Sequence, residues 1–124
     1  MDAKYQIVGK LNAIDQLNIA RKLSPALPLL DAVVAKENSG KDKGVLITMS
    51  LGMLSDESSK YVLEKCLALA VRHQDSGLPA RIMTNGNLMF DDITLRDLTD
   101  ITAAVIEENL GDFLTTALPD LIAE

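Results

Sequence analysis

Arg81-Ile82-Met83-Thr84-Asn85-Gly86-Asn87-Leu88-Met89-Phe90 sets two four-residue runs on either side of Asn-Gly. That dipeptide is the strongest local hairpin signal, because both central residues of a type I′ turn need positive φ. A two-residue loop pairs Met83 with Leu88 and Ile82 with Met89 on opposite faces, so a hairpin at 81–90 is apolar on both sides at its centre. A lone hairpin is marginal in water and needs a third strand or a helix beneath it. Residues 5–8, Tyr-Gln-Ile-Val, are β-branched at Ile7 and Val8 and end at Gly9, which makes them the candidate third strand.

Outward from the hairpin the chain reads as helical. After Asn12, residues Ile14, Leu17 and Ala20 recur at helical spacing, with Ile19, Leu23 and Leu27 as a neighbouring stripe. Ser24-Pro25 looks like an N-cap followed by proline at the first helical position, which predicts a break near Leu23 and a second helix over 25–36. Residues 37–44, ENSGKDKG, hold no apolar side chain and predict a mobile loop. Residues 45–54 are too apolar for a surface and too long for a typical strand, which predicts a buried helix weakened by Gly52. Ser55, Asp56 and Glu57 form a cap and an acidic first turn. The helix they open has Val62, Leu63, Cys66, Leu67 and Ala70 on its apolar face and reaches Arg72, and 73–79 is a connection.

Thr94-Leu95-Arg96-Asp97 resembles a capping box opening a helix with Leu95, Leu98, Ile101 and Val105 on one face, closed by Gly111. A short last helix over 112–118 and a free tail at 119–124 follow. The expected fold is therefore mainly α (α+β) in a single domain over 1–124. It has about five helices around one core and a small antiparallel hairpin at 81–90, joined by the strand at 5–8.

Charge and side-chain chemistry exclude several functions. Twelve Lys and Arg against eighteen Asp and Glu give a net charge of -6, the wrong sign for neutralising phosphates, so nucleic acid is not an expected partner. The apolar run at 45–54 is about half the ~20 residues that span a bilayer, so no membrane span is expected. Met1-Asp2-Ala3-Lys4 lacks the basic start and apolar stretch of a secretory signal, which points to the cytoplasm. Cys66 lies on an apolar helix face as a small hydrophobe, and His73 sits at an expected helix end, where carbonyl dipoles favour it. One Cys and one His cannot build a zinc site, and the seven glycines form no phosphate-binding string. The adjacent acids Asp91-Asp92 and Glu107-Glu108 suit a helix start or a solvated face. Neither catalysis nor a cofactor is expected. What remains is apolar surface for protein binding: Met83, Leu88, Met89 and Phe90 on the hairpin, and Phe113, Leu114, Leu118, Leu121 and Ile122 at the C-terminal end. The hairpin set serves more readily as core than as surface, while the residues after Pro119 suit either.

Two stretches carry a family resemblance: residues 4–27, KYQIVGKLNAIDQLNIARKLSPAL, and residues 87–119, which begin NLMFDDITL and end VIEENLGDFLTTALP. A short strand leads into a helix with Gln16 and the string Ala20-Arg21-Lys22-Leu23-Ser24-Pro25, and a later helix ends with Asn109, Leu110 and Phe113. Together they resemble the tail assembly chaperones of long-tailed bacteriophages. The resemblance implies a small helical protein of the host cytoplasm. It binds the tape measure protein, keeps that protein's apolar helices soluble, helps recruit the tail tube protein and is absent from the finished virion. Helix-in-groove capture by Leu and Met surfaces fits that role, and an acidic chain keeps such a complex soluble. Arg21 and Lys22 stand out from the acidic background as candidates to meet acidic groups, and self-association is a further expectation.

The resemblance also implies a longer product made by ribosomal frameshifting. A slippery heptamer can be encoded at Glu108-Asn109-Leu110 (GAA-AAT-TTA) or at Asp112-Phe113-Leu114 (GAT-TTT-TTA). Two rival readings come from other classes. One is an acidic regulator or DNA mimic, which needs its acids in a row on one face. The other is a noncatalytic subunit of a larger complex.

Overall fold

The structure, a computed structural model, describes residues 2–34, 40–75 and 77–114. In chain order these form β1 (Tyr5–Ile7), α1 (Ala13–Leu23), a 3-10 turn (Ser24–Ala26), α2 (Leu27–Val34), α3 (Gly40–Gly52) and α4 (Asp56–Leu67). Then come β2 (Ala70–Gln74), β3 (Gly77–Arg81), β4 (Met83–Thr84), β5 (Asn87–Leu88) and α5 (Leu95–Asp112).

The long helix α5 is the centre, with α1, α2, α3, α4 and β1 all packed against it. Its buried side holds Ile101, Thr102, Val105, Ile106 and Leu110, and the Thr102 hydroxyl is satisfied by donating to the Leu98 carbonyl at 2.7 Å. The capping box forms as expected: Thr94 Oγ1 accepts from the Asp97 amide, and Asp97 Oδ2 accepts from the Thr94 amide, each at 3.1 Å. Leu95 stays exposed at the start of the helix, outside the expected apolar face. Gly111 does not close α5, which runs to Asp112 with Phe113 as its C-cap; residues 115–118 of the expected last helix and the expected free tail at 119–124 lie outside the described residues.

The first α-helix ends at Leu23 as expected, but the chain does not leave helical geometry there. Ser24 keeps right-handed helical angles (φ -55°, ψ -35°), and the chain passes through the tight 3-10 turn directly into α2. Residues 13–34 are thus one bent helical body, and the described residues hold four such bodies rather than about five. Within α1 the buried side chains are Ile19 and Leu23, while Ile14 and Leu17 face outward, so the neighbouring stripe is the core-facing one. The expected loop at 37–44 is corrected in part: α3 begins at Gly40, and residues 37–39 lie outside the described residues. A Cβ at Gly44 would come within 2.9 Å of Thr99 Oγ1, so glycine here permits a close approach of α3 to α5, and Lys43 Nζ meets Glu107 Oε1 at 2.5 Å.

The hairpin has the expected register, Met83 opposite Leu88 and Thr84 opposite Asn87, with the Met89 amide donating to the Ile82 carbonyl, but it is shorter than the expected 81–90: its strands are two residues each, and Arg81 belongs to β3. Asn85 and Gly86 take φ of 51° and 80°. Its expected partner strand is elsewhere. Tyr5–Ile7 pairs antiparallel with β2, Tyr5 opposite Arg72 and Ile7 opposite Ala70, and β2 pairs antiparallel with β3. The three-stranded order is β1-β2-β3, with Pro79 in the edge strand, where a missing amide hydrogen is tolerated. Helix α4 ends at Leu67, and Ala70 and Val71 are buried as strand residues instead of continuing it. The hairpin is joined to this sheet where the Ile82 amide donates to the Ala70 carbonyl.

Candidate functional site

The two halves of the family-like pattern meet at one side chain. Asn109 Oδ1 accepts from the Leu11 amide at 2.9 Å and from Gln16 Nε2 at 3.4 Å, while Asn109 Nδ2 donates to the Val105 carbonyl at 2.9 Å. The start of α1 is thereby tied to the last turns of α5, with Leu110 buried beside it. Most of the quoted pattern is thus architecture. It positions α1 so that its last turn, carrying Arg21 and Lys22, lies at the far end from this tie.

The side chains expected to bind a partner divide. Met83 is half-buried against the core, and half-buried Phe90 lies under the Arg72 guanidinium, 4.5 Å from ring centre to Cζ. Leu88 and Met89 are exposed. At the C-terminal end Leu114 belongs to the core and Phe113 is exposed, while Leu118, Leu121 and Ile122 lie outside the described residues. Arg21 is exposed, with its guanidinium 3.3 Å from Asn18 Oδ1, and Lys22 Nζ sits 4.9 Å above the Tyr61 ring.

An apolar stripe that sequence reasoning placed inside lies outside. On α3, Ile47 and Ser50 are fully buried and Leu46 and Leu51 half-buried, whereas Val45 and Met49 are exposed, as is Met53 just after the helix. With apolar residues on both faces there is no periodicity to tell which one points in. Nor do the hydroxyls decide it: Ser50 donates to the Leu46 carbonyl at 2.7 Å and is buried, while Thr48 donates to the Gly44 carbonyl at 2.9 Å and is exposed. Met53 also lines a cleft of about 390 Å³ with Arg21, Lys22 and Ser55.

Residues 2–120 match the family model described as phage tail assembly chaperone protein, TAC. The chain belongs to this family. No curated protein and no solved structure matches it. The match takes in residues 29–86, where the sequence pattern alone carried no resemblance, so α3 and its outward face fall within the family's extent.

For a member of a tail assembly chaperone family, the titratable side chains bear mainly on how the surface is held. Burial pushes the Cys66 thiol up to about 12, leaving it protonated and unreactive. His73 caps no helix. It lies on β2 with Nε2 2.9 Å from Gln6 Oε1, because the helix that was to end there stops at Leu67. Arg72 forms a two-pronged pair with Asp92, at 2.6 and 2.9 Å, whose hydrogen bonds lower the Asp92 carboxyl to about 2. Among the described residues no group of three or more His, Cys, Asp or Glu is placed to hold a metal ion, and no helix is long and apolar enough to cross a membrane.

Proposed function

We propose that this protein binds the tape measure protein of its phage in the host cytoplasm, keeps that protein's apolar helices from aggregating and assists assembly of the tail tube around it, leaving before the virion is complete. Membership of the tail assembly chaperone family over residues 2–120 is the observation that carries the reading. Outward apolar side chains on α3 and the hairpin, on a chain of net charge -6, supply what such work needs: contact area for helices and a charge that keeps the complex dissolved. The DNA-mimic reading fits less well. Asp15, Glu64, Asp92 and Glu107 are each paired with a Lys or Arg, so these acids do not stand as a free phosphate-like row.

Coexpression tests the proposal. The tape measure protein is expected to be insoluble alone, soluble beside this chain, and to copurify with it. A tape measure protein that stays insoluble, or that copurifies equally with an unrelated acidic protein, would defeat the reading.

A further inference from the structure

Among the described residues, Val45 and Met49 on α3 and Met53 just after it set three large outward apolar side chains in one line. Val45, Thr48, Met49, Gly52 and Met53 are all exposed and follow one another at i, i+3, i+4, i+7 and i+8, a stripe about 12 Å long. The three large members keep 60%, 52% and 51% of their surface in water. The only hydroxyl in the stripe, on Thr48, is already engaged with the Gly44 carbonyl at 2.9 Å, so the face offers little competing polarity. A Cβ at Gly52 would meet nothing within 4 Å. Among the described residues nothing packs where a side chain would stand, which leaves a dent between Met49 and Met53. Two methionines beside such a dent suit a surface that adapts to another helix.

The stripe has a charged end. Met53 opens onto the cleft with Arg21 and Lys22, and the cleft's lining includes no carboxylate. Arg21 has a neutral amide as its neighbour and Lys22 an aromatic ring, so neither cation is neutralised by an acid among the described residues. On a chain of net charge -6 this end is a local reversal of sign.

We infer that the outward face of α3 docks an amphipathic helix whose apolar side chains lie along Val45, Met49 and Met53 and whose carboxylates, in the turn beyond, meet Arg21 and Lys22. A second copy of this chain is a poor occupant, since it brings six further negative charges and, in a two-fold pairing of α3 on α3, the same basic end. A lipid surface is a poor one too, with two cations against that net charge. This inference rests on the proposed function for the identity of the partner and adds the surface that takes it.

The test uses the full chain and a fluorescein-labelled synthetic helix with leucines at i, i+3, i+4 and i+7 and glutamates in its last turn. A second peptide carries lysines in place of the glutamates. By fluorescence anisotropy the unmodified chain binds the glutamate peptide. Val45→Lys with Met49→Lys weakens that binding at least tenfold. Arg21→Glu with Lys22→Glu weakens it similarly and reverses the preference toward the lysine peptide. Gly52→Gln fills the dent without a clash, is not expected to disturb folding, and also blocks binding. Leu78→Lys, at the most exposed apolar side chain on the distant edge strand, changes it less than twofold.

Equal binding by all variants, or none by the unmodified chain, overturns the inference. The same variants in the coexpression assay separate it from the reading above. A tape measure protein still held by the α3 variants defeats this surface and keeps that function. A peptide bound through α3 by a chain that does not hold the tape measure protein does the reverse.

Discussion

Asn109 ties itself to Leu11, 98 positions away in sequence, through one oxygen. Leu11 is buried at the entrance to α1, so its amide has no ready access to water if that oxygen is lost. Asn109→Ala should therefore cost about 1–3 kcal/mol, the range for a buried donor left without its partner. Gln16→Ala should cost clearly less, since its 3.4 Å contact is long and its side chain can turn to solvent. Urea unfolding measures both. An unchanged midpoint for Asn109→Ala would show that α1 is placed by apolar packing alone. From sequence, Asn109 and Gln16 were visible only as members of a resemblance, because nothing local marks two distant polar residues as neighbours.

At the scale of elements, what was legible was what is decided locally. Asn85-Gly86 dictates its own turn, and Thr94 and Asp97 form their own box within four residues. Ala70–Gln74 is different. Ala70 continues the helical spacing of Val62 and Cys66, yet the backbone of Tyr5–Ile7 offers it a strand edge, and that distant pairing wins over the local pattern. Residues 40–44 went astray for a similar reason: two glycines read as a loop until one of them is seen to admit α5. The turn itself gives a sharp prediction. Gly86 has φ of 80° and its added Cβ would lie 3.0 Å from Glu64 Oε1, the far end of a flexible side chain held only by a 3.8 Å surface pair with Lys60, so it can move aside. Gly86→Val should then destabilise by about 1 kcal/mol or more through the backbone, and Gly86→Asn by much less, since asparagine tolerates positive φ. Equal losses in thermal unfolding for the two would place the cost in the contact with Glu64 instead.

For the whole molecule, the decisive feature is that α5 must be complete to its end. Leu114, beyond the last regular turn, is part of the core that α5 shares with the surrounding helices. This bears on the longer product that the family resemblance implies. A slip of one nucleotide backward at Glu108-Asn109-Leu110 would keep Leu110 but replace everything after it, Leu114 included. A slip at Asp112-Phe113-Leu114 decodes Leu114 before the frame changes and so hands an intact body to whatever follows. The second site is the one compatible with a stable chaperone body, and the gene is expected to read GAT-TTT-TTA there. Changing Phe113 to TTC and Leu114 to CTG leaves the protein sequence untouched, and should abolish the longer product on an immunoblot of infected cells while sparing the shorter one. Survival of the longer product in that gene, or codons that already break the heptamer at 112–114 beside an intact one at 108–110, would show that Leu114 is dispensable to the extended form.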